Sequence, residues 1–290
     1  MALSRLAAVP LVSRRPMLGA VSGRHPSPHR GSSVEFAEYR KYVPGDDPRR
    51  VDWRAFGRTE RYYVKEFEAD TNLRCCLVID TSGSMGFGSA GATKYACARQ
   101  IAGSLAYLAV QQGDAVGLAC VADGVVTNIP PRRNPAHLTS LFNALENTKP
   151  AGPTQLIPVL HELAESLRQR AMIVVLSDFF VEADELRSCF EHLRFRKHDI
   201  SVFQLLDPQE LDFRFQRPTR FVDMEGGPYV FADPQEIADR YHRALRDHLA
   251  AVQLIMRETA VDYHRVRTDE SYERVLMQFL IGRHHGRGQR

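Results

Sequence analysis

Asp80, Ser82 and Ser84 alternate in the stretch DTSGSM, residues 80–85, directly after the apolar run LRCCLVI. In an extended loop that spacing turns three oxygen-bearing side chains the same way. Hard cations such as Mg²⁺ take oxygen ligands of this kind. Asp, Ser and Gly are equally the ordinary residues of turns. On these six residues alone, a plain turn is the simpler reading.

The surrounding elements decide where such a loop would sit. LRCCLVID reads as a buried strand, and KYACARQIAGSLAYLAVQQG as a helix ended by Gly113. AVGLACVAD and GVVTNIP form two strands about the Asp123-Gly124 turn. NPAHLTSLFNALENT follows as a helix with Asn134 as its cap, and PTQLIPVLHELAESLRQR as another with Pro158 in its first turn. AMIVVLSD is a second continuous apolar strand, ADELRSCFEHLRFRKH a helix and DISVFQLLD a third strand. A short strand and a long amphipathic helix complete the pattern at YVFADPQEIADRYHRALRDHLAAVQLIMRETA.

Continuous apolar strands separated by helices predict an α/β fold, a mainly parallel doubly wound sheet covered on both faces. Ligands of such sheets bind beyond the carboxyl ends of the strands. Asp80 and Asp178 both fall at that edge, each just past its strand. Thr154, in the loop AGPTQL, stands at the start of the third of these helices.

Asp-x-Ser-x-Ser in one loop, a Thr in a second and an Asp in a third resemble the metal-ion-dependent adhesion site of the von Willebrand factor A fold. The resemblance runs from about residue 73 to about 255. It implies hydroxyl ligands from Ser82, Ser84 and Thr154, with Asp80 and Asp178 acting directly or through waters on Mg²⁺ or Mn²⁺. No Cys or His belongs to the set, which argues against zinc.

The preceding segment, SSVEFAEYRKYVPGDDPRRVDWRAFGRTERYYVKEFEADTNL, is similar to the N-terminal signature of a bacterial family known as domain of unknown function 58 (DUF58). The pattern continues through QQGDAVGL and LSDFF. Many relatives carry two upstream transmembrane helices, and this chain resembles the short, soluble branch. The resemblance implies a metal-dependent protein-interaction module, an accessory or adaptor to a MoxR-type AAA+ ATPase, whose partner supplies an acidic ligand. On this basis the expected organisation is an arm over 1–33 and a family-specific segment over 34–72 packed on the sheet. The von Willebrand factor A-like domain follows over 73–258, then an extension over 259–281 and a disordered basic tail over 282–290.

Bulk properties narrow the classes. With 44% hydrophobic and 25% charged residues the chain can bury a sizeable core, and a net charge of +3 gives no global sign of nucleic-acid binding. The cysteines are odd in number, Cys75, Cys76, Cys97, Cys120 and Cys189, and none forms a CxxC pair. That suits a reducing compartment, so a cytoplasmic location is expected. No apolar run approaches the roughly 18 residues that span a bilayer. Residues 1–34 hold five arginines and no acid, as organellar transit peptides do, with a frayed N-terminal arm as the simpler reading.

Other candidates have plainer explanations. In PGDDPRRVDW, residues 44–53, a salt-bridged surface with Trp53 and Phe56 packing the arm is preferred to a docking face. RYYVKEFE reads as an added strand. His284-His285 belongs to the tail, and His161 and His192 to helix surfaces. No GxxxxGK[ST] loop occurs to hold ATP. The enzymatic alternative is a metal-dependent phosphoesterase or other hydrolase using Asp80 as nucleophile. Ser82 replaces the second acid of a DxDxT loop, and the local motifs hold no general base or cationic clamp. A binding module without catalytic residues is therefore expected.

Overall fold

The computed structural model describes residues 9–13, 35–41, 53–59, 62–68, 73–89, 91–167 and 169–285. Residues 42–52, which hold most of the PGDDPRRVDW stretch, and the last five residues lie outside them. The chain divides into two compact units, Arg15–Leu73 and Met1–Arg14 with Arg74–Arg290.

In the smaller unit, β1 (Glu35–Lys41) pairs antiparallel with β2 (Tyr63–Glu68), and α1 (Trp53–Thr59) lies between them in the chain. The expected strand in RYYVKEFE forms, in a two-stranded sheet with β1. Trp53 is 61% exposed. Its ring meets Phe56 and Tyr62 edge-on, while Phe56 and Tyr62 stack at 4.4 Å.

The larger unit is built on β3 (Arg74–Asp80), β4 (Ala115–Ala122), β5 (Gly124–Arg132), β6 (Met172–Ser177), β7 (Asp199–Leu206) and a later strand, Asp262–Arg267. Their order is Asp262–Arg267, β7, β6, β3, β4, β5, and every pairing is parallel except β4 with β5. Every residue of β6 and β7 is buried, which explains why apolar residues predominate in both. The strand order reverses between β3 and β6. An open α/β sheet leaves a crevice at such a reversal, beyond the strands' carboxyl ends.

Helices cover both faces. On one lie α2 (Lys94–Gln111), α3 (His137–Asn147) and a C-terminal helix, Tyr272–His285. On the other, α4 (Leu156–Ser166), α5 (Ala183–Phe195) and a long helix, Pro234–Glu258, bury Leu160, Phe190 and Ile255 against Cys76, Val78 and Val175. Strand alternation then turns Leu77 and Ile79 of β3 to the opposite face. All five cysteines are free and buried.

The remaining elements are a short helix α6 (Pro208–Asp212), the hairpin β8 (Thr219–Val222) and β9 (Tyr229–Ala232), and the helix Pro234–Glu258, α7. Asp262–Arg267 is β10 and Tyr272–His285 is α8. Three local expectations need correction. Helix α3 begins at His137, and Asn134 instead closes a turn ahead of it, its Oδ1 accepting from Ala136 N at 2.9 Å.

The sheet also extends past residue 258, because β10 pairs with β7 as its edge strand. Its sequence, DYHRVR, is too polar to read as a buried strand.

The stretch read as a tail is helical through His285, and Arg283 within it is wholly buried. Its guanidinium pairs with Asp199 and Asp262 and donates to Val12 O and Ser201 Oγ, each at 2.7 Å. The last helix is thereby tied to the sheet and to the N-terminal residues.

Candidate metal centre

Asp80 ends β3 and is 1% exposed, and the loop after it is held on two sides. Thr81 donates to Val121 O through its backbone N at 2.6 Å and its hydroxyl at 2.9 Å, fixing the loop to the end of β4. Gly83 N donates to Gly152 O, and Ala151 N to Thr81 O, so the Asp-x-Ser-x-Ser loop and the Thr154 loop are joined through their backbones. These bonds satisfy peptide groups that a buried loop would otherwise leave unpaired.

Four of the five expected side chains come together. Asp80 Oδ1 accepts from Ser82 N at 2.9 Å, and Oδ2 faces Thr154 Oγ1 at 3.4 Å. Ser82 Oγ and Ser84 Oγ are 3.2 Å apart. Hydroxyl hydrogen bonds usually measure about 2.7–2.8 Å. Neighbouring oxygens around Mg²⁺, each about 2.1 Å from the ion, stand about 3 Å apart. Both separations lie within hydrogen-bonding range, and the all-oxygen donor set is of the kind that a small hard dication takes. Among the described residues no three His, Cys, Asp or Glu side chains are placed to hold a metal. A cation here would depend on the hydroxyls.

Asp178 is differently engaged. Its Oδ2 lies 2.7 Å from Lys94 Nζ, and its Oδ1 accepts from Phe180 N at 3.4 Å. Lys94 begins α2 after the cap Thr93, is fully buried, and also meets Glu210 Oε1 at 2.5 Å. Burial works against the ammonium, but Asp178 and Glu210 outweigh it and hold the Lys94 pKa above its ordinary value. Asp178 is near enough to Asp80 to act on its charge. Its Oδ2 is thus already engaged by a cation of the chain itself.

Burial, and then the Asp178 charge, push the Asp80 pKa up to about 6, against the opposing bonds from Ser82 and Ser177. Ser177, last in β6, donates to Asp80 Oδ2 at 2.7 Å and accepts from Phe179 N. Phe179 takes a left-handed φ of +57°, turning the chain sharply after Asp178 and leaving Phe180 partly exposed beside the site. Lys94, Ser177 and Glu210 are participants that motif reading missed. Ser177 adjoins Asp178 and is the one polar residue of an apolar strand; the pairing of Lys94 with Glu210 depends on contacts far apart in sequence.

The hairpin β8–β9 closes the third side. Its turn lies so near Gly83 that a Cβ there would stand 1.9 Å from Met224 O. Glu225 Oε2 accepts from Thr154 N at 3.3 Å. Beside it a groove of about 520 Å³ begins at Ser84 and is lined by Phe87, Phe213, Phe221, Met224 and Tyr241.

Residues 38–251 match the family model described as protein of unknown function DUF58. The chain belongs to that family. Uncharacterized proteins of Mycobacterium bovis and Mycobacterium tuberculosis are each 27% identical over 281 residues, spanning 95% of this chain and 88% of theirs. Among solved structures, the conserved hypothetical protein BatB from Bacteroides thetaiotaomicron superposes with a TM-score of 0.51 at 17% identity, covering 74% of this chain and all of that one. The SpRpn10 VWA domain also matches, with a TM-score of 0.43 at 11% identity over 72% of this chain and 95% of its own. The fold of this DUF58 protein, a mainly parallel sheet covered by helices on both faces, is shared with the BatB structure. No helix among its described residues is long and apolar enough to cross a membrane.

Proposed function

We propose that this protein is a metal-dependent protein-interaction module. Asp80, Ser82, Ser84 and Thr154 would hold Mg²⁺ or Mn²⁺, with Asp178 acting through a water. The observation that carries this reading is the meeting of four oxygen donors at the reversal of strand order between β3 and β6. So few protein ligands leave coordination positions open, and a hard cation fills them with further oxygens. A carboxylate from a partner protein suits such a position, and the loops around it would set specificity through shape and charge. The groove beginning at Ser84 offers apolar surface for a residue beside that acid. On the family resemblance, the partner is a MoxR-type AAA+ ATPase or a client that it remodels. The five free, buried cysteines support a cytoplasmic setting.

Hydrolysis of a phosphoester by Asp80 gains one feature from the structure, the nearby ammonium of Lys94. That ammonium is buried between Asp178 and Glu210, so it is not presented to a substrate. Pull-down with and without Mg²⁺ tests the binding reading. A partner should be retained by wild type only with the metal and lost with Thr154→Ala. Retention indifferent to Mg²⁺ and to Thr154, or phosphomonoester turnover abolished by Asp80→Asn, would contradict it.

A further inference from the structure

Given the dication reading above, we propose that Glu225 is a ligand built into the chain, a tethered carboxylate filling the position that a partner's acid would take. Three observations carry this. Glu225 Oε2 already accepts from the backbone N of Thr154, whose hydroxyl faces Asp80, so its carboxylate lies at the same loop as the metal donors. The turn that bears it touches the Asp-x-Ser-x-Ser loop directly at Gly83, where any larger residue would collide with Met224 O. The turn itself is fixed: Asp223 Oδ1 accepts from Glu225 N at 2.8 Å, and Gly226 supplies a φ of +98° that other residues adopt only under strain.

The hairpin is also suited to leaving. Its strands are four residues each, and Val222, Tyr229, Val230 and Phe231 are all more than half exposed, so little apolar burial holds it down. Short two-stranded hairpins are marginal by themselves, and elements with few buried contacts open most easily. A partner's acid would compete with Glu225, and winning the position would swing the hairpin away. Phe221 and Met224, which wall the groove at Ser84, would leave with it and open that groove. Charge points the same way. Asp178 and Glu210 share the single ammonium of Lys94, and Asp80 lies near enough to Asp178 to feel its charge, an excess of negative charge that a dication would offset.

The test uses Mn²⁺ alone on the full chain, reading affinity by calorimetry and inner-sphere waters by water-proton relaxation. Glu225→Gln should weaken Mn²⁺ binding on the order of tenfold, as loss of a supporting group around a metal does. It should also add one water to the ion and let added acetate displace that water. Wild type should neither gain that water nor respond to acetate at the same concentration. Glu225→Ala must behave as Glu225→Gln does, with circular dichroism showing both folded. Unchanged affinity and water count in both variants, while Asp80→Ala abolishes binding, would overturn the role of Glu225 and leave the metal site standing. Absence of Mn²⁺ binding to wild type, or binding unaffected by Asp80→Ala, would overturn both.

Discussion

Asp178 and Lys94 form a buried ion pair, with Oδ2 and Nζ 2.7 Å apart and the lysine wholly out of solvent. A residue expected to face a cation is thus already answered by one, and the same ammonium reaches Glu210. Removing one member of a buried pair strands the other, at roughly 3–5 kcal/mol. Lys94→Met should lower unfolding free energy in urea by about that amount. Adding Asp178→Asn should recover part of the loss, because the two changes share one interaction. Equal stability of Lys94→Met and wild type would show that the pair is not formed.

Arg283 should matter as much, although it lies in a sequence that looks like a tail. It holds Asp199 and Asp262 and caps Val12 O, linking the last helix to two strands and the N-terminal residues. Arg283→Met should cost on the order of 3 kcal/mol or more, and truncation before residue 282 a similar amount. Truncation that leaves the thermal midpoint unchanged would contradict the clamp.

These two residues show where sequence reading stops. The apolar runs of β3, β6 and β7 announce themselves, because strands buried on both faces need no polar alternation. The Asp-x-Ser-x-Ser loop, Thr154 and Asp178 were legible because each follows or precedes a recognisable element. Lys94 was not: its burial depends on carboxylates 84 and 116 positions away. Strand β10 was hidden by its charges, and Glu225 reaches Thr154 across 71 positions from a hairpin with only its second strand visible in the pattern. Local spacing reports the element that carries a residue. It does not report which distant group arrives beside it.

Acid should weaken the fold through His198. Its Nδ1 accepts from Ala171 N, which requires the unprotonated ring nitrogen. Burial, chiefly, holds its pKa below the ordinary histidine value. The unfolded chain then binds the proton more readily, so this contribution is complete above the unfolded pKa of about 6.5 and is lost as pH falls from there toward the folded value. Urea unfolding at pH 7.5 and 5.5 should show a stability loss that His198→Gln reduces. An identical loss in the variant would assign it to other groups.

Thr154→Ala should separate binding from folding. A loop hydroxyl facing Asp80 contributes little to the core, so the thermal midpoint without metal should move by no more than a few degrees, in line with about 1 kcal/mol for one hydrogen bond. Mg²⁺ should raise that midpoint in wild type, since a ligand bound only by the folded state stabilises it, and EDTA should reverse the gain. Thr154→Ala should respond much less to both. A midpoint blind to Mg²⁺ in wild type would count against a metal at this site.

On the proposed reading, Asp80 and its neighbouring hydroxyls hold a hard dication. Calorimetric titration of Mg²⁺ into wild type and Asp80→Ala, both shown to be folded, tests it most directly. Saturable heats in wild type that are lost in Asp80→Ala are the predicted result; equal heats, or none in either, would contradict it.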